Sequence, residues 1–112
     1  MSGISTHVLD TARGQPAAGI VVVLEGQAPT GWSELARGTT DVDGRIPALW
    51  SGAVTGVGEY RLRFEVAAYF GRVGQPVFYP EVVIHVRLDS ASGKFHLPLL
   101  LNPYGYSTYR GS

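Results

Sequence analysis

The chain contains no cysteine. No disulfide can staple it and no thiolate can hold a metal, so its own core must carry the fold and no oxidising compartment is required. Charge of one sign is not in excess either: nine Lys and Arg stand against nine Asp and Glu, and charged residues are only 16% of the 112 positions. Such a balance produces no field that would steer polyanions, which argues against nucleic acid or an anionic membrane as the main partner. Long hydrophobic runs are missing. The longest aliphatic run is Ile20 to Leu24, far short of the roughly 20 residues that cross a bilayer as a helix. The opening Met1-Ser2-Gly3-Ile4 has neither a basic flank nor an apolar stretch, so no signal peptide is expected and the cytoplasm is the default location. Walker-type and Gly-x-Gly-x-x-Gly loops, a Gly-x-Ser-x-Gly elbow and a His-x-His or His-Glu-x-x-His metal spacing are all absent from the sequence, which removes the commonest phosphate, serine-hydrolase and zinc chemistries.

What is present points to β structure. Glycine is frequent at 15 residues, proline contributes 7, and the apolar segments are short, a combination typical of a sandwich with many turns. Tyr60, Leu62, Phe64 and Val66 alternate with Arg61, Arg63 and Glu65, and Val82, Ile84, Val86 and Leu88 alternate with Val83, His85 and Arg87. Both stretches read as half-buried strands, because successive strand side chains point to opposite faces. Ile20 to Glu25 is a β-branched run suited to a central strand, and Trp32 to Thr40 is a weaker strand. Asp41-Val42-Asp43-Gly44 reads as a tight turn with Gly44 free to take φ > 0, followed by a short strand over Arg45 to Ala48. Ala67-Ala68-Tyr69-Phe70 is the one stretch with local helix character. The expectation is a single domain over 1–112: eight short strands in two antiparallel four-stranded sheets, with one short helix.

The strand near the C-terminus carries a conflict. Phe95, Leu97, Leu99 and Leu101 form one face, which should point inward, yet the opposite face carries His96, Pro98 and Leu100. A solvated face is normally polar, so this outer face is expected to meet another subunit. Pro98 cannot donate to a ladder and should interrupt it. Three histidines are candidates for chemistry. His7 shares a face with Ser5 and Leu9, His96 lies with Pro98 and Leu100, and His85 lies with Arg87. Each alone is most often an ordinary surface residue, and Arg45 alone is most often a solvated turn arginine. Asp41 and Asp43 fit turn chemistry better than acid–base work. The tail Tyr104-Gly105-Tyr106-Ser107-Thr108-Tyr109-Arg110-Gly111-Ser112 holds three tyrosines and an arginine. It reads either as an ordinary edge strand, for which Tyr and Thr are suited, or as a terminus that docks in a site.

Several of these segments together resemble those of a known family. The stretch from Phe95 through His96, Pro98, Tyr104 and Tyr109 to Arg110-Gly111-Ser112 resembles the C-terminal signature of 5-hydroxyisourate hydrolases of the transthyretin-like family. Ser5-Thr6-His7-Val8-Leu9-Asp10 is similar to its N-terminal signature, and Asp43-Gly44-Arg45 to its internal one. Gly58-Glu59-Tyr60-Arg61 and Phe78-Tyr79-Pro80-Glu81 fit the regions between. Leu97 and Asn102 depart from the family's more usual Val and Ser. The resemblance implies a transthyretin-like sandwich that assembles as a homotetramer, a dimer of dimers, with active sites in the channel between dimers. It implies hydrolysis of the lactam ring of 5-hydroxyisourate with no cofactor and no metal. It carries the catalytic set onto His7, Arg45, His96 and Ser112, with His7, Arg45, Tyr109, Pro98 and Ser107 binding substrate; His85 matches no site residue. The competing expectation is a non-catalytic carrier of a small hydrophobic ligand, the role of the transthyretin branch. An inactive copy of the enzyme is a second one, since fold alone does not fix function.

Overall fold

Alternation decides where each strand puts its side chains, and the computed structural model follows it. Residues 3–52, 57–89 and 93–111 are described. In chain order they form β1 (Gly3–Asp10), β2 (Gln15–Pro16), β3 (Val21–Ala28), β4 (Gly31–Thr39), β5 (Arg45–Trp50), β6 (Val57–Glu65), α1 (Val66–Arg72), β7 (Val82–Asp89), β8 (Lys94–Asn102) and β9 (Gly105–Thr108). The expected helix is present and begins where β6 ends, at Val66. One sheet has the order β4-β3-β6-β7; the other has the order β2-β1-β8-β9, with β5 also pairing β1.

The inner faces meet in one core. Ile4, Val8, Leu97, Leu99 and Leu101 from one sheet pack against Val22, Leu24, Leu62, Phe64, Val82 and Ile84 from the other, with Val66, Tyr69 and Phe70 of α1 completing the cluster. Fully burying side chains of this size contributes about 1.5–3 kcal/mol each. Val23 is also fully buried, although it points to the outer face. Its cross-strand neighbours are Arg37 and Arg63, whose alkyl stems can cover an apolar neighbour while their heads stay wet. Thus the run Val21 to Glu25 is central, as its composition suggests.

The expectation of two purely antiparallel four-stranded sheets is corrected in one sheet. β1 and β8 run parallel, from Gly3↔Lys94 to Asp10↔Leu101, and the two-residue β2 adds a fifth strand. The period of side-chain alternation is the same for parallel and antiparallel partners, so the pattern in the sequence is silent on this point.

Two local devices anchor the C-terminal part of β1. Asp41 builds the turn that lies against it: the Asp41 Oδ1 accepts the backbone N–H groups of Asp43 and Arg45, both at 2.9 Å. Gly44 closes the turn with φ of 75°, and its carbonyl accepts the Val8 N–H at 2.7 Å. A Cβ at Gly44 would run into the Val8 carbonyl, so only glycine allows the turn to lie against β1. Two residues beyond Val8, where β1 ends, the buried Asp10 carboxylate accepts the Ala12 and Arg13 N–H groups and the Tyr69 hydroxyl, the last at 2.6 Å. Every buried polar side-chain atom among the described residues has a partner.

Candidate active site

Strand register, more than any single residue, assembles the candidate site. β5 leaves the Asp41–Gly44 turn antiparallel to β1, which sets Arg45 directly opposite His7. On the other side of β1 the parallel partner β8 sets Pro98 opposite His7 and His96 opposite Ser5. The tail then folds back antiparallel on β8. Leu100 lies opposite Ser107 and Leu99 opposite Thr108, after which the ladder lapses and resumes at His96↔Gly111 in the same register. The lapse falls at Pro98, as its missing N–H requires; the Thr108 hydroxyl spans it by donating to the Pro98 carbonyl at 2.6 Å. So Arg45, His7, Ser5, His96, Pro98 and the tail share one outer face.

His96 is the most closely held of these. Its Nδ1 lies 2.8 Å from Ser5 Oγ, and its carbonyl accepts the Gly111 N–H at 2.7 Å. A Cβ on Gly111 would come within 2.6 Å of His96 Cδ2, so the tail can lie against the imidazole only because residue 111 has no side chain. Burial, and after it the charges of His7 and Arg45, hold the His96 pKa below the ordinary histidine value, because each disfavours the imidazolium. His7 Nε2 lies 3.0 Å from the Asp43 carbonyl. A carbonyl can only accept, so His7 donates there from Nε2. Arg45 is exposed, and among the described residues no carboxylate pairs with it. An open recess of about 430 Å³ over this region is lined by Ser5, Arg45, Lys94, Phe95 and His96. Arg110 of the tail stacks over Phe95 at 4.4 Å.

The site residues expected from sequence therefore separate into groups. His7, Arg45, His96 and Pro98 come together, with Pro98 buried in the strand between His7 and the tail. Ser107 and Tyr109 lie along the exposed edge, Tyr109 being 58% exposed. Ser112 lies outside the described residues. Leu9 and Leu100 are half-buried within the chain itself, so the outer face is less openly apolar than alternation alone suggests. His85 is remote from this face: it pairs with Glu59 at 2.8 Å and meets the edge of Trp32. Sequence reasoning misses Ser5 and Gly111 as site residues, although Ser5 shares the alternation class of His7.

This arrangement offers two imidazoles of different environment, an exposed guanidinium and a seated tail. Residues 4–111 match the family described as HIUase/Transthyretin family. The chain belongs to that family. It is 44% identical over 109 residues to the 5-hydroxyisourate hydrolase of Salmonella dublin, covering 97% of this chain and 80% of that protein. The fold is similar to that of Klebsiella pneumoniae 5-hydroxyisourate hydrolase, with a TM-score of 0.86 and 37% identity over all of both chains. It is also similar to transthyretin from Sparus aurata, with a TM-score of 0.89 and 27% identity, covering 97% of this chain and 96% of that one. The transthyretin-like sandwich expected from sequence is thus the fold observed. Among the described residues no helix is long and apolar enough to cross a membrane.

Proposed function

We propose that this chain, as one domain over 1–112, is an enzyme that hydrolyses 5-hydroxyisourate, opening its lactam ring to 2-oxo-4-hydroxy-4-carboxy-5-ureidoimidazoline. The observation that carries the reading is the meeting of His7, Arg45 and His96 on one outer face by strand register, in a chain whose relatives bear that activity's name. His96 acts as the general base. Its depressed pKa leaves it neutral near pH 7, the form that can take a proton from water. That water attacks the lactam carbonyl, and Arg45 stabilises the oxyanion with its planar fork. The ring C–N bond then breaks as the tetrahedral intermediate collapses, and the leaving nitrogen takes up the proton that His96 took from water, with His7 assisting the transfer, so that His96 returns to its neutral form. Tyr109, Ser107, Pro98 and Ser112 hold and orient the substrate along the tail. No cofactor or metal enters this scheme. General acid–base catalysis of this kind contributes about two to four powers of ten in rate.

The proposal includes a homotetramer, a dimer of dimers whose channel brings this face against a second copy, and a cytoplasmic location, in keeping with a chain that has no cysteine. The competing reading, a carrier of a small hydrophobic ligand, draws support from the comparable structural likeness to transthyretin, at lower sequence identity. One assay separates them. 5-Hydroxyisourate is generated from urate with urate oxidase and its ultraviolet absorbance is followed with and without the protein. Acceleration over spontaneous decay, largely lost in His96→Ala, is the expected result; no acceleration removes the enzyme reading. Size-exclusion chromatography with light scattering checks the assembly, and a monomer would refute the shared channel.

A further inference from the structure

A base is only as good as the tautomer it is held in. Neutral imidazole carries its proton on one nitrogen, and the hydrogen bond at that nitrogen decides which one is left free. At His96 the only side-chain partner among the described residues is Ser5 Oγ, at 2.8 Å from Nδ1. The same oxygen lies 3.4 Å from the Phe95 carbonyl, positioned to donate to it. The hydroxyl has one proton. If that proton points at Nδ1, the hydroxyl and carbonyl oxygens face each other with lone pairs only. If it points at the carbonyl, Oγ is left to accept from Nδ1–H, and both contacts are satisfied.

We propose that Ser5 is a positioning residue for the hydrolysis, which sets His96 as the Nδ1–H tautomer and so leaves Nε2 unprotonated to act on water. The inference rests on the enzymatic reading above and deepens it. Ser5 sits opposite His96 in the parallel β1–β8 ladder, so the contact is fixed by backbone register and not by two mobile side chains. Gly111 closes the other side of the ring, which leaves the imidazole little room to turn away. His7 carries the opposite arrangement, since its Nε2–H is engaged by the Asp43 carbonyl. The two histidines are thereby made unequal by their hydrogen-bond partners. Among the described residues, the charged or titratable groups that act on His96 or line its recess are His7 on β1, Arg45 on β5 and Lys94 on its own strand; none of these is a carboxylic acid. A hydroxyl is thus the group left to orient the ring, where many histidines have a carboxylate.

The test compares wild type, Ser5→Ala and Ser5→Thr. Long-range ¹H–¹⁵N spectra of the imidazoles report the tautomer without reference to turnover. The expected result is Nδ1–H for neutral His96 in wild type and in Ser5→Thr, and Nε2–H gaining in Ser5→Ala. In the turnover assay Ser5→Ala should lose about tenfold in kcat, the worth of one neutral hydrogen bond, with KM little changed, and Ser5→Thr should recover most of it. The acid limb of the pH–rate profile should move to lower pH in Ser5→Ala, because the imidazolium donates to Oγ more strongly than the neutral ring does. A bare packing role would not move that limb. An Nε2–H tautomer in wild type, or a Ser5→Ala variant within twofold of wild-type kcat, overturns the proposal. A wild-type protein that shows Nδ1–H but no turnover overturns the function and leaves the tautomer assignment standing.

Discussion

Substituting alanine for Gly111 tests whether the tail is a wall of the site or a loose strand end. The new Cβ would stand 2.6 Å from His96 Cδ2, 3.1 Å from its carbonyl oxygen and 3.3 Å from its Cβ, whereas ordinary contact begins near 3.4 Å. Two of these three neighbours belong to backbone or to the stem of a ring already held by Ser5, so none can step aside freely. The gap must open by about 0.8 Å, achieved either by rotating the imidazole off Ser5 or by lifting the tail and stretching the Gly111–His96 hydrogen bond. Misplacing a catalytic group by about 1 Å costs on the order of 10²-fold in rate. Global stability should change little, since residues 106–110 are exposed and one backbone hydrogen bond is worth about 1 kcal/mol. The expected outcome is a kcat for 5-hydroxyisourate reduced by between ten- and a hundredfold, with a thermal midpoint within a few degrees of wild type. Full activity in a folded Gly111→Ala protein would mean that the tail does not confine His96 and that the site is not composite.

Other perturbations probe separate parts of the structure. The neutral form of His96 is the active one and its pKa is held down by burial, His7 and Arg45, so the acid limb of kcat/KM should lie below the ordinary histidine value near 6.5; a limb at or above it would contradict the assignment of the base. Arg45→Gln removes one of the charges that disfavour the imidazolium, and should move that limb to higher pH while lowering kcat. Tyr69→Phe removes one of the hydrogen bonds that satisfy the buried Asp10 carboxylate; it should cost about 1–3 kcal/mol of stability by chemical denaturation, and no loss would mean that water or Arg13 replaces the hydroxyl. Burial, with the Asp10 hydrogen bond second, raises the Tyr69 pKa, so its phenol should resist ionisation in an ultraviolet titration beyond the point where exposed tyrosines have titrated.

Much of the fold was legible because two-residue alternation translates directly into faces. The strands at Tyr60–Glu65 and Val82–Leu88 turn inward the residues that alternation assigns to the inside: Leu62, Phe64, Val82, Ile84 and Leu88 are buried, while Tyr60 and Val86 are half-buried against the core. The Asp41–Gly44 turn was legible for a chemical reason: aspartate that caps its own turn and glycine at positive φ leave a recognisable pattern. The ladder gap at Pro98 followed from the missing donor. The direction of β8 relative to β1 was not legible, since pairing direction leaves no mark on alternation. Nor was Ser5 as a partner of His96, because the two residues are 91 positions apart and nothing local joins them.

That same missing information explains how so small a site can be accurate. Ser5 with His96, and His7 with Pro98, are neighbours only in one register of the β1–β8 pair. A slip of one residue would turn His96 inward and bring Leu97 out, because the side-chain period is two. What forbids the slip lies on the opposite face, where Ile4, Val8, Leu97 and Leu99 are buried in the core and the Thr6 hydroxyl donates to the Leu97 carbonyl at 2.7 Å. Exposing these side chains without compensation would cost several kcal/mol. The core therefore acts as the ruler for the site: each inward residue of β1 and β8 fixes the placement of the polar residue beside it. A core substitution such as Leu97→Ala should then lower kcat as well as stability, through His96, although Leu97 points away from the recess. If Leu97→Ala, measured well below its own unfolding transition, kept wild-type kcat, register and site would be independent and this coupling would be wrong.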